Sequence, residues 1–394
     1  MRVLFSSTSG AGHSGPLLPI AAECSSLGHE IAFVVPVGVA GFDRQPGWTV
    51  VECAAPDAGA VRTLWDRVEQ ADRADAIRIV EREIFATLAT DSSLPHLIQF
   101  AQSWMPDLIV REPCEYSSAI CAQRMNISLA TVAISFSATE WSVVDMVQDI
   151  LDGYECGTDE LIRNSPFLAR FPVSMDPSPF PVTWRYRETT LNKDDSQLPR
   201  WWTNDAGPLV YISFGSLTGS SALHSKIYQV ALDAVATLPV RALMTVGRDF
   251  DVDPFGLVPS NVHVESWYPQ DKVLAHCDLV VCHGGSGTTF AALAHGVPTV
   301  IMPMFADQPT NANAVAGAGA GIILSHNVDA QRLRESIELL LTDHTFRIAA
   351  RRISDELRKQ TNLTELAVAL CAAATDRLQP SGNCSRDEGC NLFR

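Results

Sequence analysis

The chain has 394 residues with a formal net charge of -16, long enough for two domains and too acidic to offer DNA, RNA or an anionic membrane the positive field they require. Its ten cysteines are scattered, with no Cys-x-x-Cys pair and no His/Cys cluster at zinc spacing, which argues against a disulfide scaffold or a structural metal. No apolar run approaches the ~20 residues of a membrane helix and no signal-type segment opens the chain, so a cytoplasmic protein without nucleic-acid or membrane partners is expected.

In chain order, residues 3–5 read as a short buried strand. A glycine turn follows, then a helix over 16–27 stopped by Gly28 and a strand over 31–35, which together make a βαβ unit. Residues 106–110 and 128–134 read as further buried strands with a helix over 116–125 between them, predicting a parallel sheet. From 185 to 207 the apolar period is lost to charges, Pro199, Trp201-Trp202 and Asn204-Asp205, as in an interdomain connection. Strands then resume at 209–215, 241–246, 262–265, 278–282 and 299–302 with helices between them, a second doubly wound sheet. Helical period returns over 329–341, 346–359 and 363–378. The expected division is a domain over 1–190, a linker over 191–207, a second domain over 208–360, a helix over 361–379 crossing back to the first domain, and a frayed tail over 380–394.

Chemistry-bearing residues fall where strands run into loops. Gly10-Ala-Gly12-His13-Ser-Gly15 matches the G-x-G-x-x-G dinucleotide fingerprint. The acid that should close the second strand is replaced by Val34-Val35-Pro36-Val37-Gly38, and a histidine occupies the turn that a pyrophosphate must approach. His13 at a strand's carboxyl end instead suits a general base, which needs an orienting carboxylate. Glu112 or Glu115, beyond the 106–110 strand, supplies one.

In the second half, His283-Gly284-Gly285-Ser286-Gly287-Thr288 joins a strand to a helix expected over 288–295. Unpaired N–H groups and the helix dipole favour a phosphate there, His283 adds a donor, and the glycines remove obstructing Cβ atoms. Trp267-Tyr268-Pro269-Gln270 offers an indole to stack on a nucleobase and an amide for the base or ribose, and Ser216 offers a hydroxyl to the same nucleotide. Asp307-Gln308 suits sugar hydroxyls, with Asp307 also a candidate helix cap. Phe85, Phe136 and Trp141 are candidates for an apolar acceptor cleft.

Trp-x-Pro-Gln, Asp-Leu-Val-Val-x-His-Gly-Gly-x-Gly-Thr, Gly-Val-Pro, Asp-Gln and Asn-Ala occur in one order between Trp267 and Gly321, and Gly12-His13-Ser-Gly-Pro16-Leu17 stands near the start. This pattern resembles the family 1 glycosyltransferases, especially bacterial enzymes that decorate antibiotics. The resemblance implies the α/β GT-B fold: two Rossmann-like, doubly wound parallel-sheet domains facing a central cleft. It implies inverting transfer of a sugar or deoxysugar from a dTDP- or UDP-sugar to a natural-product hydroxyl, with His13 as base and no metal or other cofactor. Such an enzyme has a small-molecule donor and acceptor as its partners and works as a monomer or homodimer, with or without a helper protein. Glu112 stands where many relatives carry Asp. Plant members place a ribose-gripping Glu on the helix that here reads Phe290-Ala-Ala-Leu-Ala-His295, so the donor base stays open between thymine and uracil. Three rival readings remain at this point: a nucleotide-sugar 2-epimerase on the same fold, an NAD-dependent dehydrogenase using Gly10 to Gly15, and a non-catalytic scaffold.

Overall fold

A computed structural model describes residues 1–39, 47–188, 207–215, 222–247, 258–304 and 306–378. Two parallel sheets organise them. The first contains β1 (Arg2–Ser6), β2 (Glu30–Pro36), β3 (Thr49–Cys53), β4 (Leu108–Arg111), β5 (Ser128–Val132), β6 (Phe167–Ala169) and β7 (Thr183–Arg185), in the order β3-β2-β1-β4-β5-β6-β7. The second contains β8 (Leu209–Ser213), β9 (Arg241–Thr245), β10 (Val262–Glu265), β11 (Leu279–Cys282), β12 (Thr299–Ile301) and β13 (Gly321–Ile323), in the order β10-β9-β8-β11-β12-β13.

Both sheets reverse direction of growth at their first strand. β1 lies between β2 and β4, with Ser6 opposite Arg111; β8 lies between β9 and β11, with Ser213 opposite Cys282. A crevice opens at the carboxyl ends of strands at such a switch point, because the helices that follow depart to opposite faces. The loops after β1 and β4, and those after β8 and β11, are therefore neighbours.

Alternation along the strands builds a core on each face of the first sheet. Val3 and Phe5 pack with Ile31, Phe33 and Val110 on one side, while Leu4 packs with Ala32, Val34 and Ile109 on the other. Helix Leu17–Ser26 buries Leu17, Ile20, Ala21 and Cys24, a single helical stripe, against the first face. Helix Leu363–Leu378 presents Leu363, Leu366, Ala367 and Leu370 to the same core. The chain accordingly divides into one unit of residues 1–189 with 360–394 and another of 190–359. In the second unit Val210, Ile212, Val281 and Val300 meet Ile227, Leu232, Leu333 and Ile337 from the flanking helices.

Three features depart from the expected pattern. Residues 73–104 run as one helical stretch whose middle, Ile79–Ala89, is wound as a π-helix. Short strands β3, β6, β7 and β13 extend the two sheets. Helix Ser286–Ala294 starts two residues ahead of the expected 288, so Ser286 and Gly287 belong to its first turn. No helix among the described residues is long and apolar enough to cross a membrane.

Candidate active site

At the first switch point, the chain leaves β1 through Ser7 and Thr8 and turns at Gly10, whose φ of 118° lies in the region that favours glycine. The one-turn helix Ala11–Ser14 then carries His13. Beyond β4 comes Glu112, fully buried, with Oε2 3.1 Å from His13 Nδ1. Three further groups hold that carboxylate: Thr8 donates its N–H at 3.0 Å and its hydroxyl at 2.7 Å to Oε1, and the Cys114 N–H donates to Oε2 at 2.7 Å. Burial alone would push the Glu112 carboxyl up. The positive charge available at His13, its hydrogen bond, and the two Thr8 donors outweigh that and hold it down at about 2.

Glu115, the alternative partner, points elsewhere. Its carboxylate accepts the Ser118 N–H at the start of helix Ser117–Met125, and its carbonyl accepts from Arg111 Nε at 2.7 Å. His13 keeps 23% of its side chain exposed, which leaves the imidazole accessible on the side away from Glu112.

The second switch point is built from main-chain, hydroxyl and amide groups around one carboxylate, Asp307. The loop after β11 turns at Gly284, φ 90°, and enters helix Ser286–Ala294. The Thr289 N–H bonds back to Gly285 C=O, so the N–H groups of Ser286, Gly287 and Thr288 lie ahead of the helical ladder. The glycines serve different purposes. A Cβ on Gly215 or Gly285 would come within 3.0 Å or 2.5 Å of the His283 ring, so these two make room for the imidazole. A Cβ on Gly284 would meet Ile301 at 2.7 Å, and only Gly287 faces open space. Only Gly287 therefore fits the expectation that the glycines clear a path for a phosphate.

Around this turn the side chains interlock. Ser286 Oγ donates to Asp307 Oδ2 at 2.7 Å, and Asn311 Nδ2 donates to Asp307 Oδ2, Ser286 Oγ and the Gly284 carbonyl. Asp307 occupies the cap position of helix Gln308–Gly317 without a side-chain cap bond. Gln308 is buried, and its Oε1 accepts the Met304 N–H, so it braces the loop from inside. Gln270 Nε2 donates to Thr288 Oγ1 at 3.0 Å and lies 3.4 Å from the Tyr211 hydroxyl. Trp267 is about half exposed at 47%, as a stacking platform has to be, with Tyr268 partly buried beside it. Ser216 lies outside the described residues. Sequence reasoning missed Asn311 and Tyr211: the first sits inside a helix and the second inside a strand, where packing is the ordinary expectation.

Of the three acceptor candidates, Phe85 reaches the site, its ring 5.6 Å from that of His13. Phe136 is buried and stacked on Phe171, and Trp141 packs edge-on to Phe180 under the Arg163 guanidinium. His13, Glu112 and Cys114 bring ligand atoms within 4.8 Å of one another. The chemistry suits a metal poorly, since both Glu112 oxygens are already taken and burial, with nearby carboxylates, pushes the Cys114 thiol well up.

Solved glycosyltransferase structures share this arrangement of sheets. SnogD from Streptomyces nogalater matches with a TM-score of 0.74 at 25% identity, covering 95% of this chain and 99% of its own. VinC, in complex with dTDP, matches in fold with a TM-score of 0.76 at 22% identity, covering 95% and 100%. The chain is an enzyme of the GT-B glycosyltransferase class, which removes the dinucleotide reading of Gly10 to Gly15. Within that class, residues 26–151 and 229–373 match the N- and C-terminal domains of the erythromycin biosynthesis protein CIII-like family, and the chain belongs to it. The L-demethylnoviosyl transferase of Streptomyces niveus is 28% identical over 384 residues, 94% of this chain and 98% of the relative.

Proposed function

We propose that the enzyme moves a sugar, with inversion, from a nucleoside diphosphate donor to a hydroxyl of a natural-product aglycone, with His13 as general base. The observation that carries this reading is the 3.1 Å approach of His13 Nδ1 to a fully buried, ionised Glu112. A proton on Nδ1 is favoured by that carboxylate, leaving the Nε2 lone pair to take the acceptor proton, and the imidazolium so formed is stabilised where it stands. The acceptor oxygen attacks the anomeric carbon as the bond to the diphosphate breaks on the opposite face.

Charge on the departing diphosphate is met in the second unit by the N–H groups of Ser286, Gly287 and Thr288 and by His283. These donors need no metal. The dTDP bound by VinC favours a dTDP-sugar over a UDP-sugar. Free thiols at all eight described cysteines suit a reducing compartment, and we place the reaction in the cytoplasm.

A transfer assay tests the reading: dTDP- and UDP-sugars are offered with a panel of hydroxylated aglycones, and the product's anomeric configuration is read by NMR. Acceptor-dependent release of the diphosphate with an inverted linkage is expected. A retained configuration, or sugar interconversion without an acceptor, would overturn it.

A further inference from the structure

The stretch Ile79–Ala89 is wound as a π-helix, an uncommon geometry that gathers at functional sites. It rests against the base, because the Phe85 ring touches the His13 ring. Glu81 lies one turn ahead of Phe85. Its Oε2 is buried and has no hydrogen-bond partner among the described residues. Charged groups nearby on the same stretch are paired outward, Glu83 with Arg67 of helix Ala58–Gln70 and Arg82 with Asp149 of helix Ser137–Tyr154. An open, buried carboxyl costs stability, so its retention next to the base calls for a cause.

Glu81 is electrostatically coupled to groups beyond β1 and β4: His13, Glu112, Cys114 and Tyr116. Burial first, and then the Glu112 charge, push the Glu81 carboxyl up to about 7, while His13 pulls it down. Cys114 and Tyr116 are in turn pushed up, by burial first and then by the Glu81 charge.

We infer that Glu81 is a positioning residue for glycosyl transfer, a second carboxyl supplied by the π-helix that sets the charge state of His13. This rests on His13 being the base. Two ionised carboxylates beforehand would favour a proton already on His13. A neutral Glu81 leaves Glu112 as the sole counter-ion and the imidazole open. During transfer the acceptor O–H proton passes to His13 Nε2, the oxygen's electron pair forms the bond to the anomeric carbon, and the diphosphate departs with the electrons of the broken C–O bond. The new positive charge then draws the Glu81 proton off to water, so two carboxylates meet the imidazolium.

Glu81→Gln keeps the size of the neutral acid and abolishes its ionisation. The variant is expected to lose at least about tenfold in kcat with KM little changed, and the acidic limb of its kcat/KM profile is expected to move to lower pH by about 0.5 unit or more. Glu81→Asp should restore part of both. A second readout needs no turnover. In full-length enzyme with labelled histidine, the His13 NMR signal, identified by its loss in His13→Gln, should show an extra inflection near neutral pH that disappears in Glu81→Gln. A superimposable rate profile, or a His13 titration indifferent to Glu81→Gln, would overturn the inference. Full turnover in His13→Ala would instead overturn the base assignment itself, a result on which the NMR titration does not depend.

Discussion

The two switch points share a topology and differ in everything that lines them. In the first unit Glu112 lies within electrostatic reach of three more carboxyls, Glu81, Glu115 and Glu140. Glu112 is held low, and the others are raised, chiefly by burial, so one fold shifts its acids in opposite directions. In the second unit the same location holds Ser286, Thr288, Gln270, Asn311 and main-chain N–H groups, with Asp307 tied into that network. The sheet supplies a crevice, and the residues placed in it decide its chemistry.

The strongest way to break this division is His13→Ala. Turnover should fall by roughly 10² to 10⁴ while dTDP affinity, followed by calorimetry, stays within about twofold. A parallel loss of affinity would show that the two sites are not separate in function. Next in size is Gly284→Ala, which combines a positive φ with a Cβ 2.7 Å from Ile301. It should cost about 2–4 kcal/mol in denaturant unfolding and abolish dTDP binding, while leaving the His13 titration intact.

A pH comparison of two carboxyls separates the roles inside the first crevice. The lowered carboxyl of Glu112 contributes stability that is complete above its ordinary value of 4.5 and is lost as pH falls toward 2, so Glu112→Gln should cost roughly 2–3 kcal/mol at pH 7 and almost nothing near pH 2. Glu140 is raised well above 4.5, so its unfolded form gives up the proton first and stability declines as pH rises past 4.5. Glu140→Gln, which keeps the oxygen that accepts the Ile134 and Ser135 N–H groups, should therefore gain about 1 kcal/mol at pH 7 and little at pH 4. Unfolding midpoints across that range give both signs. The smallest effect sharpens the second crevice: His283→Ala should weaken dTDP by about 1 kcal/mol and thymidine by far less. Equal losses would place His283 at the nucleoside.

Most of this arrangement is legible before any coordinates are drawn. Buried strands announce themselves as apolar runs closed by glycine at β1, β8 and β11 and by Glu112-Pro113 at β4, and the loop chemistry sits at their ends, so these strands and the residues after them are readable. The choice between Glu112 and Glu115 is not, because both follow β4 and only the turn at residues 112–115 decides which faces Thr8 and His13. Gly285 looks like a phosphate glycine in sequence, yet a Cβ there would meet the His283 ring at 2.5 Å. The π-helix is silent as well. Its residues carry ordinary helical composition, and nothing in it marks where helices Ala58–Gln70 and Ser137–Tyr154 pack against the π stretch.

Helix Leu363–Leu378 completes the core against which β1 and helix Leu17–Ser26 pack, although it follows the whole of the second unit in the chain. During synthesis the second unit, uninterrupted from 190 to 359, has all its residues in hand before the first one does. The sheet carrying His13 must wait on the ribosome with Leu17, Ile20 and Leu168 lacking their final neighbours. A nascent chain released only as far as residue 360 would thus hold a complete second unit and an incomplete first one, with an apolar face that invites chaperones until helix Leu363–Leu378 emerges.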